Sequence, residues 1–133
     1  MKGRVARHPD AKPVAGVAIW RPAQPLFFAN ADAILTETAA RIAKTPDVMA
    51  VVVSLEESFD LDSTALDALL EFDGLVLSQG KRLQYARVHD RVRDLIALAA
   101  PALLKRFSYS VDDAVAAVAA PTTATRSEPG DAR

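Results

Sequence analysis

Apolar and polar positions follow two different periods along this chain, and the changes between them mark out its elements. Val14–Trp20 is a short aliphatic and aromatic run closed by Arg21-Pro22, which predicts a strand. Leu26-Phe27-Phe28, set off by Pro22 and Pro25, predicts a second short strand. Asn30 offers a capping side chain for a helix from Ala31 to about Lys44, with Ile34, Leu35, Thr38 and Ile42 on one face. Pro46-Asp47 ends it. Met49 to Leu55 then reads MAVVVSL, the nearly unbroken β-branched run of a parallel strand covered on both faces. Thr64 to Gln79 returns to helical spacing through Leu66, Leu69, Leu70, Val76 and Leu77, and Gly80 stands where a left-handed terminating residue belongs.

Leu83–Val88 predicts another strand, and Asp90 opens a helix in which Val92, Leu95, Ile96 and Ala99 share a face. Pro101 interrupts it, Leu103-Leu104 fit a short extra turn, and Phe107–Tyr109 predicts a last short strand. An Ala-rich helix from Ser110 or Val111 to Ala119 follows. The order β-β-α-β-α-β-α-β-α predicts an α/β domain with a mainly parallel sheet, the opening pair supplying an antiparallel strand. Residues 1–13, with two Pro and mixed charge, are expected to form a flexible linker, and 121–133, PTTATRSEPGDAR, a disordered tail. That leaves 14–120 as one folded domain.

Composition narrows the chemistry. Of 133 residues, 26 are Ala, so the core rests on Val, Leu, Ile and Phe. With no Cys, the chain has no disulfide framework, zinc-thiolate site, Fe–S cluster or thiol nucleophile. A formal net charge of −1 gives no broad reason to expect a nucleic-acid partner. The densest apolar stretch, Leu95 to Leu104, falls far short of the ~20 residues of a membrane helix. His8 and His89 are far apart and lack companions for a metal or catalytic set. No phosphate-cradling glycine motif and no G-x-S-x-G nucleophile elbow occur. Glu56, Glu57, Asp60 and Asp62 cluster, but without the residue order of a calcium loop, and fit a solvated acidic loop. No enzyme is expected and no metal.

One segment concentrates the interest: Val51 to Leu70, where a strand meets an acidic loop and Asp62-Ser63-Thr64 opens a helix. Free N–H groups and a mildly positive dipole end make this position suit either of two uses. In one, Asp62 or Ser63 caps the helix, with Asp67 supporting its first turn. In the other, Asp62, Ser63, Thr64 and Ala65 form a phosphoacceptor or weak anion or nucleotide site, the Ser63 and Thr64 hydroxyls and the Thr64 and Ala65 amides facing the ligand. Ligands of parallel α/β sheets collect at the carboxyl ends of strands, where this loop lies.

Asp62-Ser63-Thr64-Ala65-Leu66 after a β-branched strand resembles the D-[ST]-[ST]-[GA]-L signature of STAS domains, shared by sulfate transporters and anti-sigma factor antagonists. Two further blocks are similar to the C-terminal STAS domain of bacterial SulP anion transporters. One runs from Ala15 to Arg21 and from Pro25 to Ala31; the other is Ala86-Arg87-Val88 with Val92 to Leu95. Trp20 stands where Tyr or Phe is usual, and Ala65 where many antagonists carry Gly. The resemblance covers about residues 8–118. It implies a four- to five-stranded, mostly parallel mixed sheet flanked by about four helices, and a non-catalytic regulatory or interaction role. The implied setting is the cytoplasmic face of the membrane, with the transporter's own membrane domain and regulatory proteins as partners. Such a domain is soluble when isolated and requires no cofactor. Nucleotide binding, GTP in particular, has been proposed for STAS domains generally and is carried over as an expectation of a weak site. The alternative it leaves open is a freestanding anti-sigma factor antagonist, switched by phosphorylation at Thr64 or Ser63.

Overall fold

Three β-α units built in sequence lay four parallel strands side by side. The computed structural model describes residues 4–5 and 14–119. Strand β1 is Arg4–Val5, β2 Val17–Arg21, β3 Ala50–Ser54, β4 Arg82–Ala86 and β5 Phe107–Ser108. Helix α1 is Ala31–Ala43, α2 Ser63–Ser78, α3 Asp90–Ala99 and α4 Val111–Ala119; a 3-10 helix, Pro101–Arg106, joins α3 to β5. The sheet order is β1-β2-β3-β4-β5, with β1 antiparallel to β2 and the other pairs parallel.

Alternation along the strands divides the interior in two. Trp20, Val53, Tyr85 and Phe107 stand in register across the sheet and pack with Leu35, Ile42, Leu69, Phe72, Val92 and Ile96 of α1, α2 and α3. One residue back, Ile19 and Val52 face the other way, onto Val111, Ala114, Val115 and Val118 of α4. All five residues of β3 are buried, which is why its sequence is apolar without alternation. Two glycines hold the left-handed backbone that their turns need: Gly16 (φ +80°), whose carbonyl accepts from Met49 and Ala50, and Gly80 (φ +79°), just past α2.

Several expectations change. Leu26-Phe27-Phe28 is not a strand but leads into a turn at 28–30. Asn30 does not cap α1; its Oδ1 accepts from the Phe27 N–H (2.8 Å) and its Nδ2 donates to the Pro25 carbonyl (3.0 Å), winding 25–30 tightly. The antiparallel strand is instead β1, which falls within the stretch expected to be linker. The rest of 1–13 and the tail at 121–133 lie outside the described residues. On α2, Leu69 is fully buried and Leu77 exposed, and the buried face runs through Ala65, Ala68, Phe72 and Val76. Ala99 of α3 is likewise exposed.

Sequence spacing also gave no sign of a buried polar cluster. Asp73, on the buried face of α2, accepts from the Tyr85 hydroxyl (2.7 Å) and takes both terminal nitrogens of Arg106 (2.7 and 2.9 Å). This ties the 3-10 helix and β4 to α2.

Candidate functional site

Parallel strands end on one edge of a sheet, so the loops leaving β2, β3 and β4 meet there. The loop after β3, residues 55–62, is pinned by two buried anchors. The N–H of Leu55, fully buried, donates to the Ala86 carbonyl (3.0 Å), and the buried Ser58 Oγ accepts from the Leu26 N–H (3.0 Å). Asp62 then starts α2 from an extended backbone (φ −78°, ψ 171°). Its Oδ1 accepts from the Ala65 N–H and its Oδ2 from the Phe28 N–H, each at 2.8 Å. One carboxylate caps the helix and holds the turn before α1.

That settles where the four candidate residues stand. Asp62 and Ala65 are joined to each other. Ala65 is fully buried and its N–H, expected to face a ligand, is taken by Asp62. Ser63 and Thr64 are exposed.

The acidic loop is far from bare, because arginines at the strand ends meet it. The Glu56 carboxylate accepts from Arg21 Nη1 (2.9 Å) and Ser54 Oγ (3.4 Å) and forms an ion pair with Arg87 Nε at 3.2 Å. Glu57 lies 3.9 Å from Arg21. Asp60 accepts from Arg91 Nε (3.0 Å) and the Leu61 N–H (2.9 Å), and the Arg91 hydrogen bond above all holds its carboxyl below the usual value. Among the described residues no group of three or more His, Asp or Glu is placed to hold a metal ion. His89 is drawn into the same network. Its Nε2 lies 2.8 Å from the Glu56 carbonyl, so that nitrogen carries the proton, and its ring packs on Phe59 at 4.2 Å between centroids. Arg21 and Arg87 stand in the blocks that carry the resemblance, but neither they nor Arg91 was expected to meet the acidic loop. The signal that could have found two of them is their position, Arg21 ending and Arg87 directly following an apolar strand.

Beside this polar network the same end of the sheet exposes Phe27, Phe28 and Phe59. Phe27 and Phe28 meet edge to face at 5.7 Å. This end therefore gathers two exposed hydroxyls, three exposed phenylalanines and carboxylates engaged by arginines or N–H groups.

The sheet order and the helix start at Asp62 define a class of α/β domain with a mixed, mainly parallel sheet. Residues 8–114 match the STAS domain family, and the chain belongs to it. It is 33% identical over 93 residues to a probable sulfate transporter of Mycobacterium tuberculosis, an alignment taking in 69% of this chain and 17% of that protein. The chain therefore spans a small part of that relative. Among solved structures, its fold is similar to part of the murine solute carrier 26 family member A9 anion transporter in the inward-facing state. There the TM-score is 0.73 at 20% identity, over 84% of this chain and 19% of that one. A sulfate transporter family protein from Wolinella succinogenes is similar over 84% of this chain and 95% of its own (TM-score 0.61, 26% identity). The anti-sigma factor antagonist SpoIIAA, in its unphosphorylated form, shares the fold at TM-score 0.59 and 12% identity, over 87% of this chain and 95% of its own. No helix among the described residues is long and apolar enough to cross a membrane.

Proposed function

We propose that the chain is a non-catalytic regulatory domain of a SulP-type transporter of sulfate or a related anion. The observation that carries this is the 33% identity to the M. tuberculosis transporter over most of the folded chain. In this reading the domain sits at the cytoplasmic face of the membrane, with the membrane domain of the same protein and regulatory proteins as partners. Ser63 and Thr64 are its modifiable or ligand-binding positions, with Asp62 and Ala65 forming the cap beneath them. Any nucleotide there, GTP included, has the two hydroxyls and the Thr64 N–H to bond to, because the Ala65 N–H is engaged. That small donor set, with no glycine cradle, supports affinity in the micromolar to millimolar range, about −8 to −4 kcal/mol.

A second reading, a freestanding antagonist switched by phosphorylation at Thr64 or Ser63, is favoured by the exposure of both hydroxyls and by the match to almost the whole SpoIIAA chain. Immunoblotting of fractionated source cells with antibody against this domain separates the two. The transporter reading expects a membrane-bound band several times larger than the 14.2 kDa of this chain. A soluble band at that small mass overturns it in favour of the antagonist.

A further inference from the structure

We propose that Arg21, Arg87 and Ser54 form an oxyanion site that the chain's own Glu56 carboxylate fills, and from which a tetrahedral dianion such as sulfate or phosphate displaces it. Three neighbouring parallel strands build it. Arg21 is the last residue of β2 and Ser54 the last of β3, while Arg87 directly follows β4. Strands lie ~4.8 Å apart, so these residues sit side by side across the sheet edge. Their polar groups converge on one carboxylate: Arg21 donates to Oε2 and Ser54 to Oε1, and Arg87 pairs with Oε1 at 3.2 Å. Two guanidiniums and a hydroxyl serving one planar carboxylate make a donor set that a three-oxygen face of a tetrahedral anion also fits.

The backbone is bent to complete this set. Arg87 is the one described non-glycine residue with positive φ, at +56°, a conformation disfavoured for side chains larger than Asn or Asp. Strain of this kind persists where its surroundings impose it, and here it accompanies a guanidinium engaging the loop after the neighbouring strand. Solvent reaches the guanidiniums: the Arg21 and Arg87 side chains are 44% and 48% exposed and that of Glu56 23%, while Ser54 is fully buried. The Glu56 carbonyl is held separately by His89, so the carboxylate can swing out without moving the loop's backbone. Glu57, 3.9 Å from Arg21, opposes a dianion and keeps the binding weak. The site is distinct from the Asp62–Ala65 helix start, and it stands whether the chain belongs to a transporter or acts alone.

The test follows backbone amide and arginine Nε–H resonances while sodium sulfate or inorganic phosphate is titrated against sodium chloride at matched ionic strength. Saturable shifts of the Arg21 and Arg87 Nε–H signals at millimolar dianion are expected for the parent. Glu56→Gln removes the competing charge at constant size and tightens binding by about tenfold or more. Arg87→Asn, which tolerates the left-handed backbone but lacks the guanidinium, weakens it by about as much. The proposal is overturned if the parent shows no saturable shift, or if chloride reproduces the shifts. It also fails if Glu56→Gln binds no tighter, or if the changes centre on residues 62–65.

Discussion

Asp62 puts two distant N–H groups on one carboxylate, and the two can be taken apart experimentally. Asp62→Ala loses both the cap on Ala65 and the tie to Phe28, and is expected to cost about 1–2 kcal/mol in urea unfolding. Asp62→Asn keeps a capping oxygen while presenting an amide to the Phe28 N–H, so it should retain most of the cap and lose the tie. An unchanged midpoint for Asp62→Ala would show that the helix start needs neither. Tyr85 carries a pH dependence of its own. Burial first, then the Asp73 carboxylate beside it, push its phenol well above the usual tyrosine range. Both folded and unfolded states therefore hold the proton below pH ~10, and above it the unfolded chain alone releases it. Stability is full below that pH and falls as pH rises toward the folded value. Tyr85→Phe should flatten this alkaline fall and cost about 1 kcal/mol at neutral pH, read from denaturation curves across pH 7–11.

Helix α2 shows how an element can be legible while its face is not. Leucines recur along it at positions 66, 69, 70, 75 and 77, and a helical pattern with that many apolar residues fits more than one burial stripe. Packing against α1 and the sheet selects the stripe through Leu69, Phe72 and Val76, and leaves Leu75 and Leu77 exposed. Leu69→Ala is accordingly expected to cost about 2–5 kcal/mol by leaving a cavity, and Leu77→Ala well under 1 kcal/mol. Equal losses in thermal or chemical unfolding would mean the helix is rotated from the position described. Asp73 lies on the buried side as well, where an aspartate looks misplaced until Arg106 and Tyr85 are seen against it.

At the scale of the molecule, one sheet separates two cores, and its carboxyl-end loops gather paired charges and exposed aromatic rings. Among the described residues no group of three or more His, Asp or Glu is placed to hold a metal ion, and the Ser54 hydroxyl that meets the Glu56 carboxylate is fully buried. No turnover of GTP, ATP or a phosphate ester above the uncatalysed rate is therefore expected from the isolated chain. Hydrolysis that co-purifies with it and is lost on mutating Asp62 or Thr64 would contradict this.

Past the opening strand pair, element types, their order and the parallel sheet were written in local periodicity, because each helix or strand must repeat its apolar residues at its own pitch to reach a core. The helix start at Asp62 was legible for the same reason: a cap acts within one turn, between residues three apart. Pairings across more than thirty residues, Arg21 with Glu56 or Asp73 with Arg106, leave no such trace. Nor does local pattern distinguish the irregular run at Leu26–Phe28 from a strand, since its hydrogen bonds come from Asn30, Ser58 and Asp62 rather than from a neighbouring strand. Strand register decides which side chains share the sheet's edge, and register exists only once the strands have paired.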